Sequence, residues 1–440
     1  MAIIYKIHPS IGIARLGNSD NEFYIEPMQT GGLPVECDSN GNEINKSGLT
    51  VKVNKFKDNN GKIRRQASKF RIFRTENDLE VEITLDTPEI ESVTWKVHIA
   101  SKKAVWYDFS MLQGNSMYTT KDFDNSYKAQ KVPLRNSKQT TGRQQLIIDP
   151  GPRTLEGKNQ KIEIGSTNIP KDYPFGSFPG KTKYGFDINK LGDLLTDASG
   201  RLLVLGGLGN AGGNEPISSF AGADSWHDDI ADGYVNCILK LKTGEEVNLN
   251  AWVIVGSPKF APEIDNICTL SDTMLDVAIR YQKIEPEIFN VTKWPLTAGW
   301  NKSYVINFER DVKPIFERPK RYQWVSNVQS MMSFASLNID FMDSSPANKK
   351  LRQKYFSYFR KPDFYAGDHE NLFKEDIPMQ PLNSGSNSVN NVLIDKFLTL
   401  TRTQYFFLGQ WADGKFEIKS PTSNHGISEK DQFSVGNCVG

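Results

Sequence analysis

The sequence predicts an α+β protein rich in strand, with mainly antiparallel strands in the N-terminal half and helices concentrated after residue 270. Three observations carry this. Short apolar runs with strand length or strict alternation recur up to Val255. Apolar spacing of a convincing helix first appears at Leu270–Tyr281. Further helical spacing follows at Lys349–Tyr358 and in the region Val392–Gly414.

At about 150 residues per domain, a chain of 440 residues suggests two or three units. The division read here is a β-rich region 1–110, a β-rich region 111–268 holding an acidic loop, and a helix-containing region 269–440. A net charge of +1 gives no general attraction to nucleic acid or to an anionic membrane. No apolar run approaches the ~20 residues of a bilayer span. The N-terminus, Met1–His8, lacks a basic segment followed by a long apolar one, and reads as a first strand. The expected location is the cytoplasm, or outside the cell without an ordinary signal peptide.

Strands are expected at Ile3–Ile7, Leu79–Leu85 and Val93–Ile99, with turns at Asn40-Gly41-Asn42 and Asn59-Asn60-Gly61. Lys62–Arg74 is basic with interleaved aromatics; a strand with one charged face is preferred to a nucleic-acid surface. Lys161–Ile164 reads as a strand ended by Gly165, and Phe186–Leu195 as one or two helical turns. Leu202–Leu205 precedes Gly207-x-Gly209-x-x-Gly212, which has the spacing of a dinucleotide loop. A helix would have to begin there to face a pyrophosphate, and Gly213-Asn-Glu-Pro216 has no helical period, so a glycine loop against packed backbone is preferred. Helix starts are placed at Ser271 or Asp272, and Gly414 is placed as a helix stop.

The acid-rich stretch Gly222–Gly233 sits between strand candidates, with four acids, His227 and Trp226. Loops of this kind carry sites; a turn whose Asp side chains bond their own backbone is the plainer reading. Cys37, Cys237, Cys268 and Cys438 form no C-x-x-C pair, and the five histidines are scattered, so neither a disulfide framework nor a structural zinc site is expected. Cys237 and Cys268 read as buried, inert thiols.

Several segments, in order, resemble one family: the amino-acid oxidases that carry cysteine tryptophylquinone, typified by L-lysine 6-oxidase and its glycine-oxidase relative. His8-Pro-Ser-Ile-Gly-Ile-Ala-Arg15-Leu-Gly17-Asn18-Ser19 is similar to the family's opening H-P-x-I-G-I-A-R-x-G-N-S. Phe56-Lys57-Asp58, Gly61, Arg65-Gln66-Ala67 and Phe70-Arg71 are similar to its next segment. Trp226-His227-Asp228-Asp229-Ile-Ala231-Asp232-Gly233 resembles W-x-D-D-x-S-D-G, with Ala231 in place of Ser. Trp252–Val255, Phe260-Ala261-Pro262, Gly367-Asp368 and Leu400–Phe416 continue the set. Asp431 and Asn437-Cys438-Val439-Gly440 resemble L-D-x-x-x-L-x-N-C-V-G-G, with Lys430 and Val435 replacing the leucines.

The resemblance implies oxidative deamination of a primary amine of an amino acid, free or peptide-bound, with release of ammonia and hydrogen peroxide. It makes Cys438 the thiol joined to the quinone, Asp431 a base or maturation carboxylate, and His369 a pocket residue. The quinone tryptophan is expected beyond Gly440 or on a second chain, with Trp226, Trp252 and Trp411 packing in the core. Implied partners are the amine substrate, molecular oxygen, a flavoprotein for maturation, and further copies in a homo-oligomer. The other reading is a family member without the quinone, acting as a scaffold or awaiting maturation.

Overall fold

The computed structural model describes residues 3–27, 32–76, 79–108, 133–217, 223–258, 264, 266–322, 339–362, 373–374, 377–381 and 399–419. These fall into two compact units, residues 3–258 and residues 264–419.

The first unit is built on a 13-stranded sheet. Its strands are β1 (Ile4–His8), β2 (Ile11–Arg15), β3 (Phe23–Ile25), β4 (Val35–Glu36), β5 (Arg65–Glu76), β6 (Leu79–Ile83), β7 (Ile90–Ala100), β8 (Arg153–Glu156), β9 (Lys161–Gly165), β10 (Lys190–Thr196), β11 (Leu202–Gly206), β12 (Ala231–Leu241) and β13 (Glu246–Gly256). The main path runs β8-β7-β12-β13-β2-β5-β11-β10-β9. Pairing is antiparallel except at β13–β2 and β3–β5. Hairpins join β5 to β6, β10 to β11 and β12 to β13, while β7–β12, β5–β11 and β2–β13 pair across more than 100 positions of sequence.

The long hairpin β12–β13 shows the period-2 rule directly. Val235, Cys237, Leu239, Val253 and Val255 point into the core, while Asp232, Ile238, Asn250 and Trp252 face outward. Trp95 of β7 lies opposite Cys237 and is sealed in the same core, its indole N–H donating to the Gly200 carbonyl at 2.9 Å.

Two expectations change here. Phe186–Leu195 is not helical; Leu191, Leu194 and Leu195 belong to β10, which is buried on both faces. A strand covered on both sides reads as a continuous apolar run and loses its alternation. The basic stretch is a strand, β5, but two of its cations, Arg65 and Lys69, point inward. Arg65 and Lys69 are buried and meet Asp193 at 2.7 Å and Asp197 at 3.2 Å. A sequence shows the cations of such a strand and hides their partners, which lie over 120 positions away.

The second unit packs α1 (Leu270–Val277), α2 (Lys313–Arg321), α3 (Lys349–Phe356) and α4 (Arg402–Ala412) around an aromatic core. Thr269, two positions ahead of Ser271 and three ahead of Asp272, the expected starts, caps α1, and its capping box closes with Asp272. Thr401 and Gln404 repeat the device on α4. Gly414, in the left-handed region at φ 77°, ends α4 as expected; its N–H donates to the Trp411 carbonyl at 2.9 Å. Trp411 is fully buried against Phe316, Phe341 and Tyr355. Among the described residues, no helix is long and apolar enough to cross a membrane.

Candidate functional site

The acidic loop leads into β12, and its first turn is tied by a cation that the sequence did not point out. Arg135 is buried and donates to the carbonyls of Ala223 at 2.7 Å and Trp226 at 2.9 Å. Asn136 adds a bond to the Asp224 carbonyl at 3.0 Å. Buried carbonyls need donors, and a guanidinium serves several at once. The signal was only Arg135-Asn136 in a polar, turn-rich stretch, with nothing to link it to residues 90 positions on.

The four acids of the loop do not converge. Asp224 is exposed. Asp228 pairs with Lys103, and its other oxygen accepts the Ile230 N–H at 3.2 Å. Asp232 is exposed and accepts the Trp252 indole N–H at 3.1 Å. Asp229 is 1% exposed and serves the glycine loop instead. Its Oδ2 accepts the N–H groups of Gly209 at 2.8 Å and Asn210 at 3.0 Å, while its Oδ1 is buried without a hydrogen bond among the described residues. Burial pushes its pKa up to about 6, and the neighbouring charge of Asp228 pushes the same way.

This explains the G-x-G-x-x-G spacing without a nucleotide. A Cβ on Gly207 would collide with the Asp229 carboxylate, and Ala211–Gly213 form a short strand rather than a helix. Gly233 is constrained in the same way, since a Cβ there would collide with the His98 carbonyl across β12–β7. His227 is held neutral: burial lowers its pKa, and Arg135 adds to the effect. The backbone-bonded reading of the loop therefore holds for Asp228, and Asp229 departs from it. Among the described residues, no group of three His, Cys, Asp or Glu side chains is placed to hold a metal.

A cysteine tryptophylquinone needs a thiol beside an indole, both open to substrate. Cys438, Asp431 and His369 lie outside the described residues. Trp95 and Cys237 are cross-strand neighbours, but both are sealed in the core and burial holds the thiol far above its ordinary pKa. Cys268 is half-buried, its pKa pushed up to about 11 by burial. Trp411 packs in the core as expected, with its N–H on the Phe341 carbonyl at 2.8 Å. Trp226 is half-buried and donates to the Glu215 carbonyl. Trp252 corrects its expectation: it lies on the outward face of β13 and is 41% exposed. The described thiols and indoles do not make the cofactor pair.

In the helical unit, buried charges fix the start of α4. Asp276 accepts the N–H and hydroxyl of Thr403 at 2.9 and 2.8 Å and pairs with Arg280 at 2.8 Å. Fully buried Arg360 donates to the Pro381 carbonyl at 2.8 Å. Sequence reading passed over Glu285, whose pKa is pushed up to about 7 by burial and by its hydrogen bond with Glu287. Glu285-Pro286-Glu287 was the only signal, and paired carboxyls of this kind take up and release a proton near neutrality.

Two family models match. Residues 8–255 match the L-lysine epsilon oxidase N-terminal model, and residues 381–440 match the L-lysine epsilon oxidase C-terminal domain. The L-lysine 6-oxidase of Marinomonas mediterranea is 44% identical over 458 aligned positions, covering 99% of this chain and 61% of the relative. The crystal structure of the Schiff base intermediate of L-Lys epsilon-oxidase from that organism with L-Lys superposes with a TM-score of 0.85 at 43% identity. That match covers 99% of this chain and 65% of the other. A second structure of the same oxidase gives 0.85 at 42% identity, covering 99% of this chain and 64% of the other. The chain thus spans about three fifths of the length of the curated relative it matches. By its ordered motifs, its strand-rich fold and these matches, the chain belongs to the L-lysine epsilon oxidase family.

Proposed function

We propose that the protein takes part in oxidative deamination of a primary amine of an amino acid, with L-lysine as the first substrate to test. The observation that carries this is the 43% identity and shared fold, over 99% of the chain, with an oxidase whose crystal structure holds L-Lys. The C-terminal family match, residues 381–440, includes Asp431 and Cys438.

In this reading Cys438 is the thiol that holds a protein-derived cysteine tryptophylquinone. When present, that group accepts two electrons from the amine and passes them to oxygen, giving hydrogen peroxide and ammonia. Asp431 takes the proton from the amine-bearing carbon, the task of a general base. His369 lines the pocket. The region 269–440 carries these residues. Peptide-bound amines are further substrates, a flavoprotein is the maturation partner, and the protein works as a homo-oligomer.

A second reading is a scaffold without the quinone. It draws on the described tryptophans: Trp95 and Trp411 are sealed in cores, and Trp226 and Trp252 are tied through their indole N–H.

The test is made on protein purified from its native host. Quinone redox staining, visible absorbance and peroxide release on L-lysine are measured for the wild type and for Cys438→Ala. The proposal expects all three signals in the wild type and none in the variant, at equal thermal stability. An unstained wild type whose Cys438 is freely alkylated would sink the oxidase reading and leave the scaffold.

A further inference from the structure

The two ends of the main sheet path, β8 and β9, are neighbours in the chain, joined by residues 157–160. β8 pairs with β7 and β9 with β10, and no ladder joins β8 to β9. β9 is also thinly anchored. Ile164 is fully buried, Ile162 is half-buried, and Lys161 and Glu163 face water. An edge strand with so little buried apolar area belongs to the low end of local stability.

A side chain takes the place of the missing ladder. Arg153 opens β8 and is buried. Its Nε donates to the Glu163 carbonyl at 3.3 Å, and Nη2 donates to the Gly165 carbonyl at 3.2 Å and to Asn168 Oδ1 at 2.7 Å. Nη1 turns back on the lead-in to β8, donating to the carbonyls of Pro150 at 2.7 Å and of Gly151 and Pro152 at 3.2 Å. All these acceptors are neutral, and burial lowers the pKa of the guanidinium. The Gly165 acceptor lies at a bulge, where the register of β9 on β10 shifts. Asn168 closes the same turn, accepting the Gly165 N–H at 3.1 Å and donating to the Glu163 carbonyl at 2.8 Å.

The two sides of this junction are held unequally. Ahead of Arg153, Asp149 ties the chain to β7: its Oδ1 lies 2.6 Å from His98 Nε2 and accepts the Gly151 N–H at 2.9 Å, and its Oδ2 accepts the Tyr173 hydroxyl at 2.7 Å. The β8 side is thus bolted down, while β9 relies on a short ladder, one buried isoleucine and Arg153.

We propose that residues 157–168, with β9 at their centre, form a strap that opens locally from β10, and that the Arg153 guanidinium is its latch. Opening bares the backbone N–H and C=O groups of β10 that β9 otherwise pairs. The strap requires neither Cys438 nor a bound group, so it stands apart from the oxidase reading.

The test is hydrogen exchange read by mass spectrometry on the full chain, comparing peptides over residues 157–168 with peptides over β12. The strap should exchange at least tenfold faster than β12, at a rate insensitive to low denaturant, the mark of local opening. Arg153→Gln should speed exchange in the strap at least tenfold and leave β12 unchanged. Asn168→Ala removes one acceptor of the latch from an exposed position; it should speed the strap several-fold at unchanged thermal stability, and keeps the test open if Arg153→Gln fails to fold. Glu163→Gln cancels the surface pair with Lys190 but keeps the backbone acceptor, and should change the rate less than twofold. Strap exchange as slow and as denaturant-sensitive as that of β12 would overturn the proposal. So would a strap unmoved by Asn168→Ala, or one moved as much by Glu163→Gln.

Discussion

Asp193 and Asp229 are both aspartates with 1–2% of their surface exposed, in the same unit, and their electrostatics are opposite. Asp193 sits beneath β5. Burial pushes its pKa up, but Arg65 at 2.7 Å and Lys190 at 2.9 Å outweigh this and hold it below the usual carboxylate range. Asp229 has burial and, among the described residues, no ion-pair partner; two backbone N–H groups soften the effect, and its pKa rises to about 6. Burial alone thus does not set the charge of a carboxyl. The partner supplied by the rest of the fold does.

The largest test of this contrast removes the cation. Arg65→Met leaves Asp193 with Lys190 alone in a site closed to water. Breaking a buried pair from one side costs about 3–5 kcal/mol. Chemical denaturation should show a loss near the lower end, since Lys190 stays. Adding Asp193→Leu should recover most of it, and a double variant as unstable as the single would refute the pairing account.

The second test removes the unpaired acid. Because the folded pKa of Asp229 is raised, the neutral form stabilises the fold, fully below the unfolded pKa of about 4. That contribution is lost as pH rises through about 6. Asp229→Asn keeps an acceptor for Gly209 and Asn210 without the charge. It should stabilise the protein at pH 8 by about 2–3 kcal/mol, the size of a two-unit shift. The gain should vanish by pH 4. Asp193 has the opposite sign: its contribution is present above the unfolded pKa and is lost as pH falls through its lowered folded value. Melting curves of wild type and variant at pH 4, 6 and 8 separate the two.

The same contrast explains what could be read from the chain. The strands β7, β12 and β13 announce themselves because one face is apolar and the other polar, so the alternation survives in sequence. β10 does not, because Leu191, Leu194 and Leu195 are buried on both faces. The caps of α1 and α4 were nearly legible, since a Thr with an Asp or Gln three positions on is a local signal. Partners distant in sequence were not. Nothing in Lys62–Arg74 names Asp193 or Asp197, and nothing around Asp229 names Gly207. Cys438, Asp431 and His369, the residues proposed to react, were reached through the family resemblance and stand outside the described residues.

The smallest test asks which cause raises Asp229. Asp228 is its neighbour in sequence and pushes its pKa in the same direction as burial, but less strongly. Lys103 already pairs with Asp228 and offsets part of its charge. Asp228→Asn should therefore move the pH midpoint of the Asp229 transition down by only a few tenths of a unit, a small fraction of the total shift, because most of it comes from desolvation. The midpoint is followed by the carboxyl carbon chemical shift of Asp229. A fall to the ordinary carboxylate range would make the pair of acids, not burial, the cause. The lesson drawn from Asp193 would then have to be restated as one about like charges rather than missing cations.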